Sequence, residues 1–300
     1  MSRTPVGQTE TSRGGSDAAA NEQRRPGRGS GQAGSTARGP GVDKSADRVR
    51  QMFSEIAGRY DQLNRLLSAG VDLYWRWRTV RAVPPPRSGR VLDVCTGTGD
   101  LALAYWRHGR GQVRVVGADF AHPMLVLAKR KAARRCRGGR VPEFVEADAL
   151  ELPFPDDCFD VVSVAFGLRN VADTDRGLAE MTRVCRPGGH VVVLEFSLPT
   201  VRPVRAVYLW YFRRVLPWVG QLLARNRHQA YHYLPQSVSE FPRGNALAKR
   251  MESSGLTAVW WKPLTLGIAT LYCGRKPEPD ETLGGPSRRP RSVVSAGGSR

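Results

Sequence analysis

The sequence predicts an α/β fold: a mostly parallel sheet with helices on both faces and a closing antiparallel edge strand. Three observations carry this expectation. First, Val91-Leu92-Asp93-Val94 is an apolar run of strand length. It stops at Thr96-Gly97-Thr98-Gly99, and Leu101–Trp106 then reads as a helix. Second, further β-branched runs alternate with helical stretches, the pattern of βα units. Third, two strand-like runs, 257–261 and 267–274, end the pattern as a hairpin at the sheet edge.

Residues 1–43 are largely Gly, Ser, Arg, Ala and Pro and bury too little apolar surface to offset ordering entropy. They are expected to be a disordered tail, as are 277–300, leaving one domain over 44–276. It starts with a helical prefix. Val49, Met52, Phe53 and Ile56 share one helical face, Arg59-Tyr60-Asp61-Gln62-Leu63-Asn64 follows, and Trp75-Arg76-Trp77-Arg78 continues a second helix that Pro84-Pro85-Pro86 ends. Tyr60 and Asn64 are polar in an apolar setting and are read as site residues.

The second strand, Val113–Ala118, ends at Asp119, and a helix runs from His122 to about Cys136. The third strand, Glu143–Glu146, leads to Ala147-Asp148-Ala149, and Leu152–Asp157 reads as a loop. The fourth strand, Phe159–Phe166, runs into Gly167-Leu168-Arg169-Asn170. Ligands in open α/β sheets bind outside the carboxyl ends of strands, so Arg169 and Asn170 are expected on a pocket rim. A helix from Asp175 to Cys185 is expected to stop at Arg186-Pro187-Gly188-Gly189, before a fifth strand His190–Phe196. An aromatic insertion near 203–235 and a short helix at Asn245–Ser253 complete the domain.

The glycine turn points to a nucleoside-containing cofactor. Gly97 and Gly99 let backbone approach a ligand, the helix N-terminus offers free N–H groups, and Asp119 suits a ribose diol. A dinucleotide remains open, because Ala102 stands where its third glycine can be replaced. Asp93, Asp119 and Asp148 around one pocket instead favour a cationic ligand over a diphosphate. S-adenosylmethionine, with a sulfonium, an ammonium and a ribose diol, meets that requirement.

The net charge is +19, of which the tails carry +2 and +1 and residues 44–276 carry +16. Nucleic acid and an anionic membrane are both candidate partners for such a domain. Tyr208, Trp210, Tyr211, Phe212, Leu216, Trp218 and Leu222, with Arg205, Arg213, Arg214 and Arg225, form an aromatic, basic stretch suited to a membrane surface or a substrate wall. The five scattered cysteines form no metal cluster and read as reduced thiols of a cytoplasmic protein. No membrane span and no secretory signal is expected.

Several pieces together resemble the quinone-biosynthesis C-methyltransferases of the UbiE/MenG type. They are Val91–Asp100, Leu152-Pro153-Phe154-Pro155-Asp156, Phe166-Gly167-Leu168-Arg169-Asn170, Arg186-Pro187-Gly188-Gly189 and Leu194-Glu195-Phe196. The prefix Phe53-Ser54 through Asn64 and the later Tyr233-Leu234 to Ser237 and Phe241-Pro242 match as well. The resemblance covers about 46–276. It implies a Rossmann-like class I methyltransferase that moves a methyl group from S-adenosylmethionine to a ring carbon of a prenylated hydroquinone, such as demethylmenaquinol.

Carried over by position, the cofactor contacts fall on Thr98, Asp119, Asp148 and Ala149, to which the residue reading adds Asp93, Gly97 and Gly99. The family often has Asn at the position of Asp148. Some members have Ser at the position of Ala165, and Ser163 is near in sequence. For the chemistry, Arg169 is expected to stabilise a developing phenolate, Tyr60 to position or relay its proton, and Asn170 to join them. No histidine falls on a family motif, so the general base stays open. Expected partners are the hydroquinone, an anionic membrane surface at the inner face of the cell and a second copy of the chain, with no nucleic acid. An RNA or other small-molecule methyltransferase and a nicotinamide-dependent oxidoreductase are the alternatives.

Overall fold

The structure, a computed structural model, describes residues 50–51, 54, 57–68, 70–199, 201–211, 214 and 236–279. The expected Val49/Met52/Phe53/Ile56 helix face, the tail 1–43, residues 280–300 and most of the aromatic stretch lie outside the described residues.

Two helices of the prefix, α1 (Tyr60–Leu67) and α2 (Val71–Ala82), precede strand β1 (Arg90–Val94). Then follow α3 (Asp100–His108), β2 (Arg114–Asp119), α4 (His122–Arg135), β3 (Glu143–Glu146) and β4 (Phe159–Ala165). The remainder is α5 (Thr174–Val184), β5 (Cys185–Phe196), α6 (Arg202–Trp210), α7 (Asn245–Ser253), β6 (Thr257–Leu264) and β7 (Ala269–Arg275).

The strands form one sheet in the order β3-β2-β1-β4-β5-β7-β6. The first five are mutually parallel, and β7 runs antiparallel to both β5 and β6. The order therefore departs from the all-parallel 3-2-1-4-5-6 arrangement of dinucleotide-binding folds. The two closing strands expected from the sequence are this pair, with β7 inserted between β5 and the edge strand.

Strands covered on both faces read as continuous apolar runs because neighbouring residues go to opposite cores. Val91, Val161, Val192 and Leu271 pack with Trp75, Leu101, Tyr105 and Leu125 on one face. Leu92, Val162, Val191 and Val193 pack with Leu178, Met181, Leu247 and Met251 on the other.

One element differs from expectation. Arg186-Pro187-Gly188-Gly189 does not separate helix from strand but lies within β5. Phe159 pairs with Cys185 and Val161 with His190, so β5 bulges out here. Gly188 takes a left-handed φ of 73°, and its N–H donates to Lys276 O at 2.9 Å while Lys276 N donates to Gly189 O. The glycines allow the strand to detour and stay paired.

Candidate cofactor and substrate site

β1, β2 and β4 end together at one edge of the sheet, and their last residues open a cavity of about 770 Å³, its mouth included. Cys95 and Gly97 follow β1, Asp119 and Phe120 close β2, Asp148 and Ala149 follow β3, and Ala165, Phe166 and Gly167 follow β4. Met124, Leu150 and Val171 add apolar wall, and Tyr60 and Asn170 add polar groups.

The backbone is strained where β1 and β4 end. Cys95 and Phe166 take positive φ of 52° and 59°, a region that non-glycine residues rarely adopt. A Cβ at Gly167 would collide with that of Cys95, so only glycine lets these two turns touch. Such strain concentrates at functional sites, where the surrounding fold can hold it.

The glycine turn is fixed by carboxylates. Gly97 N donates to Asp119 Oδ2 at 2.8 Å, and Ala121 N donates to Asp119 Oδ1 at 2.9 Å. Burial pushes the Asp119 carboxyl above its ordinary pKa, and its backbone donors oppose this without cancelling it. Asp148 accepts from Leu150 N at 2.9 Å and holds the β3 loop against the cavity.

Asp93 is expected to face a ligand cation. It is buried beneath the turn, where its Oδ2 accepts from Thr96 Oγ1 at 2.6 Å and Ala102 N at 3.1 Å, and it also borders a smaller, adjoining cavity. Ser163, its parallel register partner on β4, donates to Oδ1 at 3.2 Å and does not line the larger cavity. Burial pushes the Asp93 carboxyl up to about 7. Ala165 stands at the wall of both cavities.

The second cavity, about 320 Å³, opens beside the first and shares Tyr60, Cys95, Gly97 and Ala165 with it. Its wall carries both signs: Arg76 from α2, with Asp93, Thr98 and Asp100. The sequence reading did not single out Arg76. Its Nη1 is held by Asp72 Oδ2 at 2.6 Å, a pair visible in the sequence as Asp and Arg at i and i+4. Arg76 also lies over the Phe166 ring at 5.3 Å. Thr98 Oγ1 donates to Asp61 and accepts from Lys131 Nζ at 2.9 Å. Lys131 pairs with Asp61 and Asp100, and Arg65 pairs with Asp100 at 2.9 Å, so α1, the glycine turn and α4 are tied together. Burial opposes the Asp100 charge, but the cations of Lys131, Arg76 and Arg65 outweigh it and hold its carboxyl below the ordinary range.

Arg169 departs from the expected rim position. The helical turn Leu168–Asn170 carries it inward, where it is 6% exposed. Its Nη1 donates to Glu195 Oε1 at 2.7 Å and to Phe166 O at 2.5 Å, and the guanidinium lies 5.2 Å from the Phe196 ring centroid. A buried charge needs such a partner, and Glu195 on β5 supplies it. Asn170 does line the larger cavity, and its Oδ1 is buried with no hydrogen-bond partner. A buried acceptor left unpaired requires a reason, and a ligand hydroxyl is one.

Tyr60 stands where the two cavities meet. Burial raises its hydroxyl pKa, while its hydrogen bond to Asn64 and the charges of Arg169 and Arg76 pull it down without prevailing. Among the described residues no histidine lines either cavity.

Of the aromatic stretch, Tyr208 is buried, while Arg205 and Trp210 are exposed. Phe212, Arg213, Leu216, Trp218, Leu222 and Arg225 lie outside the described residues. Among the described residues no helix is long and apolar enough to cross a membrane.

The model of the ubiE/COQ5 methyltransferase family matches residues 42–276. Demethylmenaquinone methyltransferase of Thermus thermophilus is 51% identical over 226 residues, covering 75% of this chain and all of that protein. Ubiquinone/menaquinone biosynthesis C-methyltransferase UbiE of Geobacter sulfurreducens is 47% identical, covering 78% and 91%. A solved SAM-dependent methyltransferase of Thermotoga maritima shares the fold at 16% identity and a TM-score of 0.53, covering 76% of this chain and 99% of that one.

Proposed function

The chain belongs to the ubiE/COQ5 methyltransferase family, and from that premise we propose that it methylates a ring carbon of demethylmenaquinol with S-adenosylmethionine. It is an S-adenosylmethionine-dependent C-methyltransferase of quinone biosynthesis by that membership. The observation that carries the finer reading is the pair of joined cavities, one mostly apolar with Asp119 and Asp148 in its wall and one bearing both charges. A nucleoside attached to an amino-acid zwitterion has this division of chemistry.

On this reading Asp119 would take the ribose hydroxyls, and Asp148 and Ala149 the adenine edge. Phe120, Met124 and Leu150 supply the apolar surface for the base. Gly97 keeps backbone close to the ligand; Gly99, expected to do the same, lines neither cavity and instead lets the turn pack on Phe144 and Ala128, while Thr98 holds the turn against α1. Arg76 suits the carboxylate of the amino-acid part, and Asp93, once ionised, its positive charge.

When bound, S-adenosylmethionine supplies a methyl group made electrophilic by the sulfonium. The chain's task is to present a nucleophilic ring carbon in line with it and to keep water out. A hydroquinone carbon becomes strongly nucleophilic when a ring hydroxyl loses its proton, and a free phenol does so near pH 10. Tyr60, its own pKa raised, stays protonated at neutral pH and donates a hydrogen bond to the developing oxyanion. Arg169 acts through position: pinned by Glu195, it is a fixed positive charge whose field favours an anionic oxygen beside Tyr60. Asn170 Oδ1 accepts from the second hydroxyl. The base that removes the proton is not assigned to a described side chain, and water can serve.

The prenyl tail of such a substrate resides in lipid, so the enzyme works at an anionic membrane surface. Exposed Arg205 and Trp210 on α6 support this. Calorimetric titration tests the cofactor reading: S-adenosylmethionine binds and NADH does not. Heat from NADH alone would overturn it. An RNA substrate would be revealed by a salt-dependent gel shift together with methyl transfer to RNA.

A further inference from the structure

Helix α2 is built inside out. Its buried face carries Asp72, Arg76 and Thr79 beside Trp75 and Val80. Its outward face carries Leu73, Tyr74 and Trp77, which are 46%, 45% and 48% exposed. A helix at a water-facing surface normally shows the reverse. The inward polar residues have a use, because Arg76 lines the charged cavity and Asp72 holds it. The outward apolar stripe has none within the described residues.

The stripe has the chemistry of a lipid–water boundary. Tyr74 and Trp77 rings lie 5.9 Å apart, and the Arg81 guanidinium lies over Trp77 at 5.1 Å. Tyrosine and tryptophan suit the headgroup level, with an apolar body and a polar tip. The surrounding charge is of one sign. Arg78 and Arg81 reach the surface, exposed Arg87 follows the prolines, and Asp72, the only acid of the helix, is turned inward. A second exposed apolar residue stands on an adjoining turn: Leu266 is 66% exposed, and its neighbour Thr265 accepts from Trp75 Nε1 at 2.8 Å.

We propose that the outward face of α2, formed by Leu73, Tyr74 and Trp77 with Arg78 and Arg81, is a surface by which the protein seats on an anionic lipid bilayer. This rests on the membrane-borne substrate proposed above and names the seat, in a helix distinct from the 203–235 stretch. The arrangement couples two tasks in one helix. A bilayer against its outer face lies about one helix diameter, roughly 10–12 Å, from the cavity that Arg76 lines.

The test is flotation of the full chain with vesicles of phosphatidylglycerol and phosphatidylcholine, for the wild type, L73S/Y74S/W77S and R78E/R81E. None of these positions lines either of the two cavities described above. The wild type floats; R78E/R81E, which removes two basic residues worth about 1 kcal/mol each, floats at least about thirtyfold less, and L73S/Y74S/W77S, which removes the apolar anchors, floats at least about fivefold less. Both variants keep turnover on a short-chain, water-soluble hydroquinone. If the wild type floats and both variants float equally well, the seat is overturned and the lipid reading stands. If the wild type does not float, both fall. If the wild type elutes as a dimer and L73S/Y74S/W77S as a monomer, the face is a contact between copies, which also overturns the proposal. Should L73S/Y74S/W77S fail to fold, undiminished flotation of R78E/R81E overturns it alone.

Discussion

The backbone N–H of Gly97 donates to the Oδ2 of Asp119 at 2.8 Å, joining the turn after β1 to the end of β2 across 22 residues. One carboxylate therefore shapes the glycine turn and stands in the cavity wall. Asp119→Ala is expected to weaken S-adenosylmethionine binding by about 1.5–3 kcal/mol, as for a charge-assisted hydrogen bond. Asp119→Asn, which keeps one acceptor, should fall between. Calorimetry on the folded variants checks this, and unchanged affinity in Asp119→Ala would remove Asp119 from the cofactor site.

Arg76 is assigned to the carboxylate of the amino-acid part, and a ligand lacking that part separates this role from general damage. The pair must be changed together, because a lone Asp72 would be left buried and unpaired. In D72N/R76Q, affinity for S-adenosylhomocysteine should drop at least about tenfold, a difference of roughly 1.4 kcal/mol, with 5′-methylthioadenosine held as before. Parallel losses for both ligands would count against the assignment.

Asp93 gives a pH signature. Its carboxyl is pushed up to about 7 by burial, from an ordinary value of 3.8. The folded chain thus holds a proton that the unfolded chain has released, and stability must fall as pH rises through that interval. The effect is fully present below pH 3.8 and gone above about 7, on the order of 4 kcal/mol at most. Asp93→Asn keeps the proton-bearing geometry toward Ser163 and should flatten this contribution. Urea unfolding between pH 4 and 8 measures it. Identical pH profiles for the variant and wild type would mean that Asp93 does not titrate there. A bound cation should also favour ionised Asp93, so S-adenosylmethionine affinity is expected to fall as pH drops below 7.

Arg169 and Glu195 form a buried pair at 2.7 Å that fixes the Phe166–Asn170 turn. Arg169→Lys keeps the charge but loses the guanidinium plane beside the Phe196 ring and the placement that lets one nitrogen hold both Glu195 and Phe166 O. Turnover on a short-chain hydroquinone is expected to fall by about tenfold, roughly 1.4 kcal/mol for a charge that is kept but displaced, with cofactor affinity nearly unchanged. Equal losses in both would assign the pair to structure alone.

Much of this arrangement was legible in the sequence. Apolar strands covered on both faces announce themselves, and ligand sites lie at their carboxyl ends; Gly97, Asp119, Asp148, Ala149 and Asn170, all legible on that rule, line one cavity. The inward turn of Arg169 was not legible, because its cause is Glu195, 26 residues away on another strand. Arg76 was hidden for a related reason: a tryptophan- and arginine-rich helix suggests packing, and only its buried face reveals a polar wall. Pro187-Gly188-Gly189 suggests a terminator because those residues usually end elements, whereas pairing with Lys276 carries the strand past them.

The central claim is methyl transfer to a ring carbon of demethylmenaquinol. The direct test incubates the purified full chain with a short-chain demethylmenaquinol and S-adenosylmethionine bearing a trideuterated methyl group, then reads the quinone by mass spectrometry after oxidation. The expected product carries a trideuteromethyl group on the quinone ring that survives oxidation. No label in the quinone, or label lost on oxidation as from an oxygen ether, would contradict it.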